Sequence, residues 1–372
     1  MAQLSATYRI DNYIDTFALG HYARVLSAED LRTGATIAFK VMRPEHVQAD
    51  GEAQWEFRAF GNEAEILMAL ADSPHVIKLY DCGYVSTIAE APADGELESF
   101  GTDINAFIAQ MTTYARAGWR PYLALENLPR TENLFYAMKP TQAGTRRRLP
   151  SEEAITMALQ FANLMTLAHA QGIVYLDHKL EHVYWDGVTL KVIDFNSSKQ
   201  LGKTVQSIEF TRDIHNFCVG ILYSIFTGMS PQKTALRPQA GGMDVVERRY
   251  SDIQELDFMM EPSLSQAMQA LLQRGAQQQI TTVADFLAQL HTVAALHGRD
   301  FSDTDTTAAS RQARDNLRKG LSKLREGEAA IRDARDLFRD SLIIDGITED
   351  LEDELRRLVK AVNEVVNNRV IP

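Results

Sequence analysis

The sequence predicts an α+β protein that ends in a C-terminal α-helical hairpin, and three observations support this fold class. Short apolar runs separated by turn signals fill the first third of the chain and predict strands. From Leu149 onward the apolar residues follow helical spacing, apart from a few short β-like runs between residues 172 and 193. Residues 299–372 hold 30 charged residues among 74, and their leucines and valines recur at intervals of four and three, as in a coiled coil.

Composition excludes several classes of protein. The chain has 372 residues, 45% of them hydrophobic, so it can bury a substantial core and is neither disordered nor fibrous. Its net charge of −12 argues against nucleic acid and anionic membrane as partners. The longest apolar run, Phe217–Phe226, is shorter than the ~20 residues that a membrane-spanning helix needs. Two cysteines, Cys82 and Cys218, do not indicate a disulfide framework, so we expect a reducing, cytoplasmic setting.

The first half of the chain predicts a sheet with one helix and one insertion. Arg32-Thr-Gly34 separates two apolar runs and predicts a hairpin turn. A helix is predicted over about 54–70. Residues 86–120 are too many for a structureless loop, so we expect an insertion with a helix over 104–116. The predicted strands are 16–19, 24–26, 36–42, 76–80 and 122–125.

Helices dominate the second half. Ser151 is the predicted N-cap of a long helix. Short strands at 183–184 and 190–193 precede further helices from about 214 to 296. Asp345-Gly346 predicts a turn between the two helices of the tail. Two interpretations of this tail stay open: a hairpin that packs on the main domain, and a module for homodimerisation or partner docking.

Four segments carry chemically active side chains in a fixed order. They are Ile37-Ala-Phe-Lys40-Val41, Asn62-Glu63-Ala-Glu-Ile-Leu67, Tyr175-Leu-Asp177-His-Lys179-Leu-Glu-His182 and Val192-Ile-Asp194-Phe195-Asn196. Their order and spacing resemble the protein kinase family over roughly residues 8–296. The resemblance implies a bilobal protein-kinase-like fold. Its parts would be a small β-rich N-lobe over 8–126 that includes the 86–120 insertion, a helical C-lobe over 127–297, and the helical module 299–372.

The resemblance implies a nucleotide site between the lobes. Lys40 would contact the α- and β-phosphates of ATP, and Glu63 would pair with it, because a buried lysine needs a counter-charge. Gly20 remains from the glycine-rich loop that covers the phosphates in this family, whereas Ala18 and Ala23 replace the outer glycines.

The adenine contacts are also implied by the resemblance. Val25 and Ala38 match the residues that cover the adenine from above. Leu125 matches the gatekeeper, and backbone groups of Glu126 and Leu128 would meet the adenine edge.

The resemblance assigns the transfer step to the third and fourth segments. Asp177 would orient or deprotonate the acceptor hydroxyl, Lys179 would neutralise charge on the γ-phosphate, and Asp194 would bind Mg²⁺. Asp213 would tie the catalytic-loop backbone to the helix that follows. Four apolar side chains match the column that links the two lobes in active kinases: Leu67, Leu79, Tyr175 and Phe195.

The chain departs from the family pattern at several positions. His182 stands where the family has an asparagine that holds a second metal ion, and Mg²⁺ prefers oxygen ligands to imidazole. Asn196 replaces a glycine, and because asparagine tolerates positive φ we expect the turn to persist. Leu176 replaces an arginine that pairs with phosphate on the activation segment. Asp213 lies only 19 positions after Asp194, and no A-P-E motif follows, so much of the usual platform for peptide substrates is missing.

Three functions remain open. The retained lysines and acids favour an Mg·ATP-dependent serine/threonine protein kinase that phosphorylates a hydroxyl of an unknown protein substrate. The glycine-poor loop, His182 and the lost platform favour a pseudokinase, a nucleotide-binding scaffold that works through its insertion and tail. The short activation segment also fits a small-molecule phosphotransferase. ATP and Mg²⁺ are the implied cofactors, with His182 and Asp194 as the metal ligands.

Overall fold

In a computed structural model, the chain forms two compact units. Unit 1 comprises Met1–Lys139 and Arg147–Thr304, and unit 2 comprises Pro140–Arg146 and Asp305–Pro372. The structure describes residues 2–13, 22–47, 53–138, 147–201, 207–232, 236, 239, 241–296, 316, 319, 320, 323, 327, 330, 331, 333–344, 346 and 348–367. The strand predicted at 16–19 and the loop glycine Gly20 therefore lie outside the described residues.

A seven-stranded antiparallel sheet forms the first lobe of unit 1, in the order β1-β6-β5-β7-β4-β3-β2. Its strands are β1 (Ala2–Gln3), β2 (Tyr8–Tyr13), β3 (Ala23–Asp30), β4 (Ala35–Met42), β5 (Leu79–Val85), β6 (Glu96–Ser99) and β7 (Arg120–Glu126). Gly34, with φ of 72°, confirms the predicted hairpin turn between β3 and β4. The strand predicted at 76–80 starts only at Leu79, and β1, β2 and β6 were not predicted.

Four helices accompany this sheet: α1 (Leu4–Thr7), α2 (Trp55–Ala69), α3 (Ile104–Ala109) and α4 (Met111–Arg116). Helix α2 confirms the prediction over 54–70 and packs against β5, β7 and α3. The helix predicted over 104–116 is present as α3 and α4, and the Asp103 side chain caps α3 by accepting a hydrogen bond from Ala106 N. Gly61 lets the inserted helices approach α2, because a Cβ atom there would lie 2.9 Å from Met111 Cε.

The second lobe of unit 1 is mainly helical. Its helices are α5 (Leu134–Ala137), α6 (Ser151–Ala170), α7 (Ser207–Asn216), α8 (Tyr223–Thr227), α9 (Met243–Arg248), α10 (Gln266–Ala276) and α11 (Val283–Leu296). A buried π-helical stretch, Phe217–Leu222, joins α7 to α8. Two short ladders, β8 (Ile173–Val174) with β11 (Lys199–Gln200) and β9 (Val183–Trp185) with β10 (Leu190–Val192), lie beside residues 175–182. We call residues 175–182 the catalytic loop after the family segment that they resemble.

The predicted N-cap of α6 is wrong by one residue. The N-cap is Pro150, whose carbonyl accepts the first helical hydrogen bond from Ala154 N, and no side chain caps this end. Ser151 is the first helical residue. Pro150 has a non-helical ψ of 138°, so the helix begins directly after it.

Both cysteines are buried and free, as expected without a disulfide framework. None of the helices in the described part of the chain is long and apolar enough to cross a membrane.

Unit 2 contains α12 (Glu349–Asn367) and a helical stretch over 333–341. The first turn of α12 contains three acidic residues, and their negative charges stabilise the helix by interacting with the positive end of its dipole. Gly346, with φ of 88°, lies between the two helical stretches, where the turn was predicted.

Candidate active site

An ion-paired triad with a buried lysine at its centre lies between the two lobes of unit 1. Strand β4 carries Lys40, helix α2 carries Glu63, and Asp194 follows strand β10. Lys40 Nζ lies 2.6 Å from Glu63 Oε2 and 2.6 Å from Asp194 Oδ1. The side chains of Lys40 and Glu63 are only 6% and 1% exposed. The side chain of Asp194 is 26% exposed, so one buried cation joins a buried carboxylate of the first lobe to a partly exposed carboxylate of the second.

The surroundings of this triad keep the lysine charged. Burial alone would lower the pKa of Lys40, but Asp194 and Glu63 hold it well above its usual value. Burial raises the pKa of Glu63 despite the opposing effect of Lys40. Burial also opposes ionisation of Asp194, yet Lys40 and His182 hold its pKa well below the usual range. Of the two carboxylates, Glu63 therefore takes up a proton first as the pH falls.

The two expected metal ligands, Asp194 and His182, lie side by side. His182 Nε2 is 3.0 Å from Asp194 Oδ2. The other ring nitrogen, Nδ1, lies 3.1 Å from Tyr175 Oη and 3.2 Å from the backbone oxygen of Asp177. The Tyr175 hydroxyl donates to Ile193 O and can accept a hydrogen bond from Nδ1–H.

This donor set fits Mg²⁺ only together with phosphate oxygens. In the described ranges, no group of three His, Cys, Asp or Glu side chains forms a metal cage by itself. Mg²⁺ at phosphate sites is usually held by one or two carboxylates, with water and substrate phosphates completing its shell. Asp194 suits such an ion, whereas the imidazole of His182 is a poorer ligand for it.

The turn after Asp194 persists without a left-handed asparagine. The positive φ of 63° falls on Asp194 itself, and Asn196 is not left-handed. Asn196 acts through its side chain, whose Nδ2 donates to Asp194 Oδ1 over 2.7 Å. Asn62 of α2 donates to Asn196 O over 3.1 Å and ties the turn to the first lobe.

The catalytic loop has a strained backbone that a buried carboxylate holds in place. Leu176 has φ of 67°, which is costly for a bulky side chain. Asp213 accepts hydrogen bonds from the N–H groups of Tyr175 and Leu176, over 3.1 and 2.9 Å. Asn216 Nδ2 donates to Leu176 O over 3.0 Å. Asp213 thus ties the loop to α7, as the resemblance implies, and the strain lies directly before Asp177.

Three basic side chains surround Asp177. Its Oδ2 lies 3.1 Å from Lys179 Nζ and 3.7 Å from His182 Nδ1, and its Oδ1 lies 3.1 Å from Arg249 Nη2. Burial alone would raise the pKa of Asp177, but Lys179, His182 and Arg249 hold it below its usual value. Asp177 therefore stays ionised and can accept a hydrogen bond from a hydroxyl.

The expected adenine contacts lie on β3, β4 and the end of β7. Val25 and Leu128 are half-buried and Ala38 is buried in the same core. The backbone N–H of Glu126 already donates to Lys78 O over 2.8 Å, so only its carbonyl could meet the adenine edge.

The four apolar residues that were expected to link the lobes belong to one buried cluster: Leu67, Leu79, Tyr175 and Phe195. The rings of Tyr175 and Phe195 meet edge to face, with centroids 5.0 Å apart. The cluster thus includes residues of α2, β5 and the catalytic loop.

A segment without a recognisable sequence signature contacts the catalytic loop. Arg249 and Tyr250 follow α9 directly, and the Tyr250 hydroxyl donates to His178 O over 2.8 Å. Gly220 makes room for this contact, because a Cβ atom there would clash with His178 O and lie 2.6 Å from the Tyr250 ring. The only sequence signal was indirect: the short activation segment leaves the loop open to another part of the chain.

A family model of the protein kinase domain matches residues 16–225, more than half of the chain. The match includes the ion-paired triad and the catalytic loop. It ends within α8, so Arg249 and Tyr250 lie outside it.

Proposed function

The chain belongs to the protein kinase family, and on that premise we propose that it transfers the γ-phosphate of Mg·ATP to a hydroxyl acceptor. The observation that carries this proposal is the ion-paired triad of Lys40, Glu63 and Asp194, which lies beside Asp177. The charges of Lys40 and Glu63 are costly to bury, and a scaffold without nucleotide would gain little from them. A site that binds the phosphates of a nucleotide between the lobes needs a buried positive charge such as that of Lys40.

Each side chain has a definite task in the proposed reaction. Lys40 binds and orients the α- and β-phosphates, and Glu63 keeps it aimed. Asp177 orients the acceptor hydroxyl and receives its proton, while Lys179 offsets the charge that moves with the γ-phosphate. Asp194 and His182 would hold Mg²⁺, which supplies positive charge to the phosphate oxygens.

The nature of the acceptor separates two candidate functions. Family membership favours a serine or threonine hydroxyl of a protein. The contact of Arg249 with Asp177 favours a small molecule, because the segment after α9 contacts the loop where a peptide would meet it. A pseudokinase would bind nucleotide without transfer.

Transfer and nucleotide binding should separate in Asp177→Ala. We expect this variant to lose transfer of labelled γ-phosphate and to bind a fluorescent ATP analogue within a few-fold of wild type, since Asp177 contacts the acceptor and not the nucleotide. Asp252→Ala, which removes an exposed carboxylate of the same lobe, is the matched control. Full transfer by Asp177→Ala would contradict the proposed role.

We also propose that residues 299–372 are a module separate from the lobes at 8–126 and 127–297, and that it dimerises or docks a partner. On α12, Leu351 and Val365 are 49% and 44% exposed, which leaves apolar surface for such a contact. If the tail dimerises, light scattering should show a dimer for the full-length chain and a monomer for a chain that ends at residue 296. If both chains form the same dimer, the contact lies outside the tail.

We also propose a cytoplasmic location for the protein, which suits its two free thiols.

A further inference from the structure

A buried arginine lies beside the aspartate that would orient the acceptor. Arg249 Nη2 is 3.1 Å from Asp177 Oδ1, and the arginine side chain is only 6% exposed. Its Nη1 donates to Gln239 O over 2.6 Å. Arg249 thus places a positive charge where the hydroxyl of an acceptor would approach Asp177.

One edge of this guanidinium is unused. Within the described residues, Nε and Nη2 of Arg249 have no hydrogen-bond partner, and neither has Oδ1 of Asp177. The two facing groups are close enough for charge attraction but lack hydrogen-bond geometry. Nε and Nη2 form one side of the planar group, and that side matches the two oxygens of a carboxylate or phosphate. Buried polar atoms rarely stay unpaired, so this edge indicates a ligand.

The position of Arg249 is fixed by its neighbour. Tyr250 is 1% exposed, and its hydroxyl donates to His178 O over 2.8 Å. The backbone oxygen of Tyr250 lies 3.0 Å from His215 Nε2, and Gly220 leaves space for the tyrosine ring. A segment anchored in this way is poorly suited to act as a removable plug over Asp177. It is suited to hold a binding group in a set position.

We propose that Arg249 binds the acceptor, and that the acceptor is a small hydroxyl compound with a carboxylate or phosphate group close to the reacting hydroxyl. This inference rests on the proposed phosphotransfer. The oxyanion would bind Nε and Nη2, and the hydroxyl would donate to Asp177 Oδ1. The hydroxyl oxygen then bonds to the γ-phosphorus, and the bond from that phosphorus to the β–γ bridging oxygen breaks. ADP leaves with the electron pair, and the hydroxyl proton passes to Asp177 and then to solvent.

Distance favours a small acceptor over a peptide. Asp177 Oδ1 and Arg249 Nη2 are 3.1 Å apart, so the hydroxyl and the oxyanion that they bind must be close neighbours in one molecule. In an extended peptide, adjacent side chains point to opposite sides, and the next side chain on the same side is about 7 Å away. A hydroxy acid or a phosphorylated polyol meets this requirement directly.

Binding can be measured on the nucleotide-free, full-length protein. The calorimetric probes are glycerate and glycerol 3-phosphate, with glycerol as the uncharged counterpart. We expect the wild type to bind at least one anion and not glycerol. Arg249→Met should weaken anion binding by about 10- to 100-fold, the usual loss for a hydrogen bond to a charged group. Arg249→Lys should recover only part of it, because lysine keeps the charge but not the paired donors.

Arg248 supplies the matched control, since it is the adjacent arginine but is exposed. Arg248→Met should bind the anions like the wild type, and circular dichroism should show that all variants are folded. The proposal is overturned if Arg249→Met binds as tightly as the wild type, if Arg248→Met loses as much, or if neither anion binds the wild type at millimolar concentration.

Transfer of labelled phosphate separates this inference from the proposed function. With an anionic acceptor, Arg249→Met should raise KM for the acceptor by a similar factor and leave KM for ATP unchanged. Anion binding through Arg249 without any transfer would support the anion site and contradict the phosphotransfer. Transfer that proceeds only to serine peptides, equally well in Arg249→Met, would establish a protein kinase and overturn the small-acceptor inference.

Discussion

Replacing Lys40 by methionine would remove the cation that the buried carboxylate of Glu63 shares with the partly exposed carboxylate of Asp194. After this change Asp194 Oδ2 would still have His182 Nε2 as a neighbour at 3.0 Å. Glu63 would lose its partner, because Lys40 is the one cation paired with it within the described ranges. Loss of one partner of a buried ion pair typically costs about 3–5 kcal/mol, because the other charge stays uncompensated. Protonation of Glu63 limits this cost. We therefore expect Lys40→Met to lower the free energy of unfolding by about 3 kcal/mol at pH 8.

The pH dependence of this loss has a definite sign. The pKa of Glu63 in the folded chain is raised above the ordinary value of 4.5, first by burial. Such a group contributes stability that is complete below the unfolded pKa and is lost as the pH rises through the folded pKa. Without Lys40 the folded pKa should rise further. The deficit of Lys40→Met should therefore be smaller at pH 6 than at pH 8.

A double-mutant cycle in urea tests this explanation. Glu63→Gln replaces the unpaired carboxylate by a neutral amide, so Lys40→Met/Glu63→Gln should be more stable than Lys40→Met alone. Arg58→Met, which removes an exposed cation from the same helix as Glu63, should change stability by less than about 0.5 kcal/mol. Additive losses in the cycle, or a deficit that does not change with pH, would refute the shared-cation account.

Three further substitutions test other parts of the site. Asp213→Ala should free the catalytic loop and abolish transfer with little change in ATP affinity, and retained transfer would contradict the proposed tether. Gly220→Ala presses a methyl group against the backbone of His178 and should cost about 1–3 kcal/mol in urea unfolding. The same change at Gly320, which has open space around it, should cost nothing. His182→Asn supplies an oxygen ligand and should lower the Mg²⁺ concentration for half-maximal transfer; an unchanged Mg²⁺ curve would show that His182 is no ligand.

The pairing of Lys40 with Glu63 was predictable because each residue belongs to a local sequence pattern, whereas the ion pair of Lys40 with Asp194 was not predicted. Lys40, Glu63 and Asp194 are far apart in the chain, yet the residues around each one match a family motif in the expected order. The structure brings the three side chains within 2.6 Å contacts. Family resemblance thus supplied the long-range information that local periodicity does not contain.

The pairing of β1 with β6 was not predictable in this way. Ala2 pairs with Leu97, and the two strands have only two and four residues. Segments this short carry no clear alternation of apolar and polar residues. Their pairing depends on tertiary position.

Arg248 and Arg249 show the same limit within the candidate site. They are adjacent and identical in type, but Arg248 is exposed and Arg249 is buried against Asp177. Local sequence cannot tell them apart. The difference follows from the anchoring of Tyr250 beneath the catalytic loop, which only the assembled lobe reveals.

Transfer of labelled γ-phosphate from Mg·ATP by the purified protein tests the central claim most directly. Label should be counted on the protein itself, on serine peptides, and on glycerate and glycerol 3-phosphate, with Asp194→Asn alongside. The proposed function predicts label in at least one fraction for the wild type and none for Asp194→Asn. No label in any fraction from folded, nucleotide-binding wild-type protein would contradict phosphotransfer and favour a nucleotide-binding scaffold.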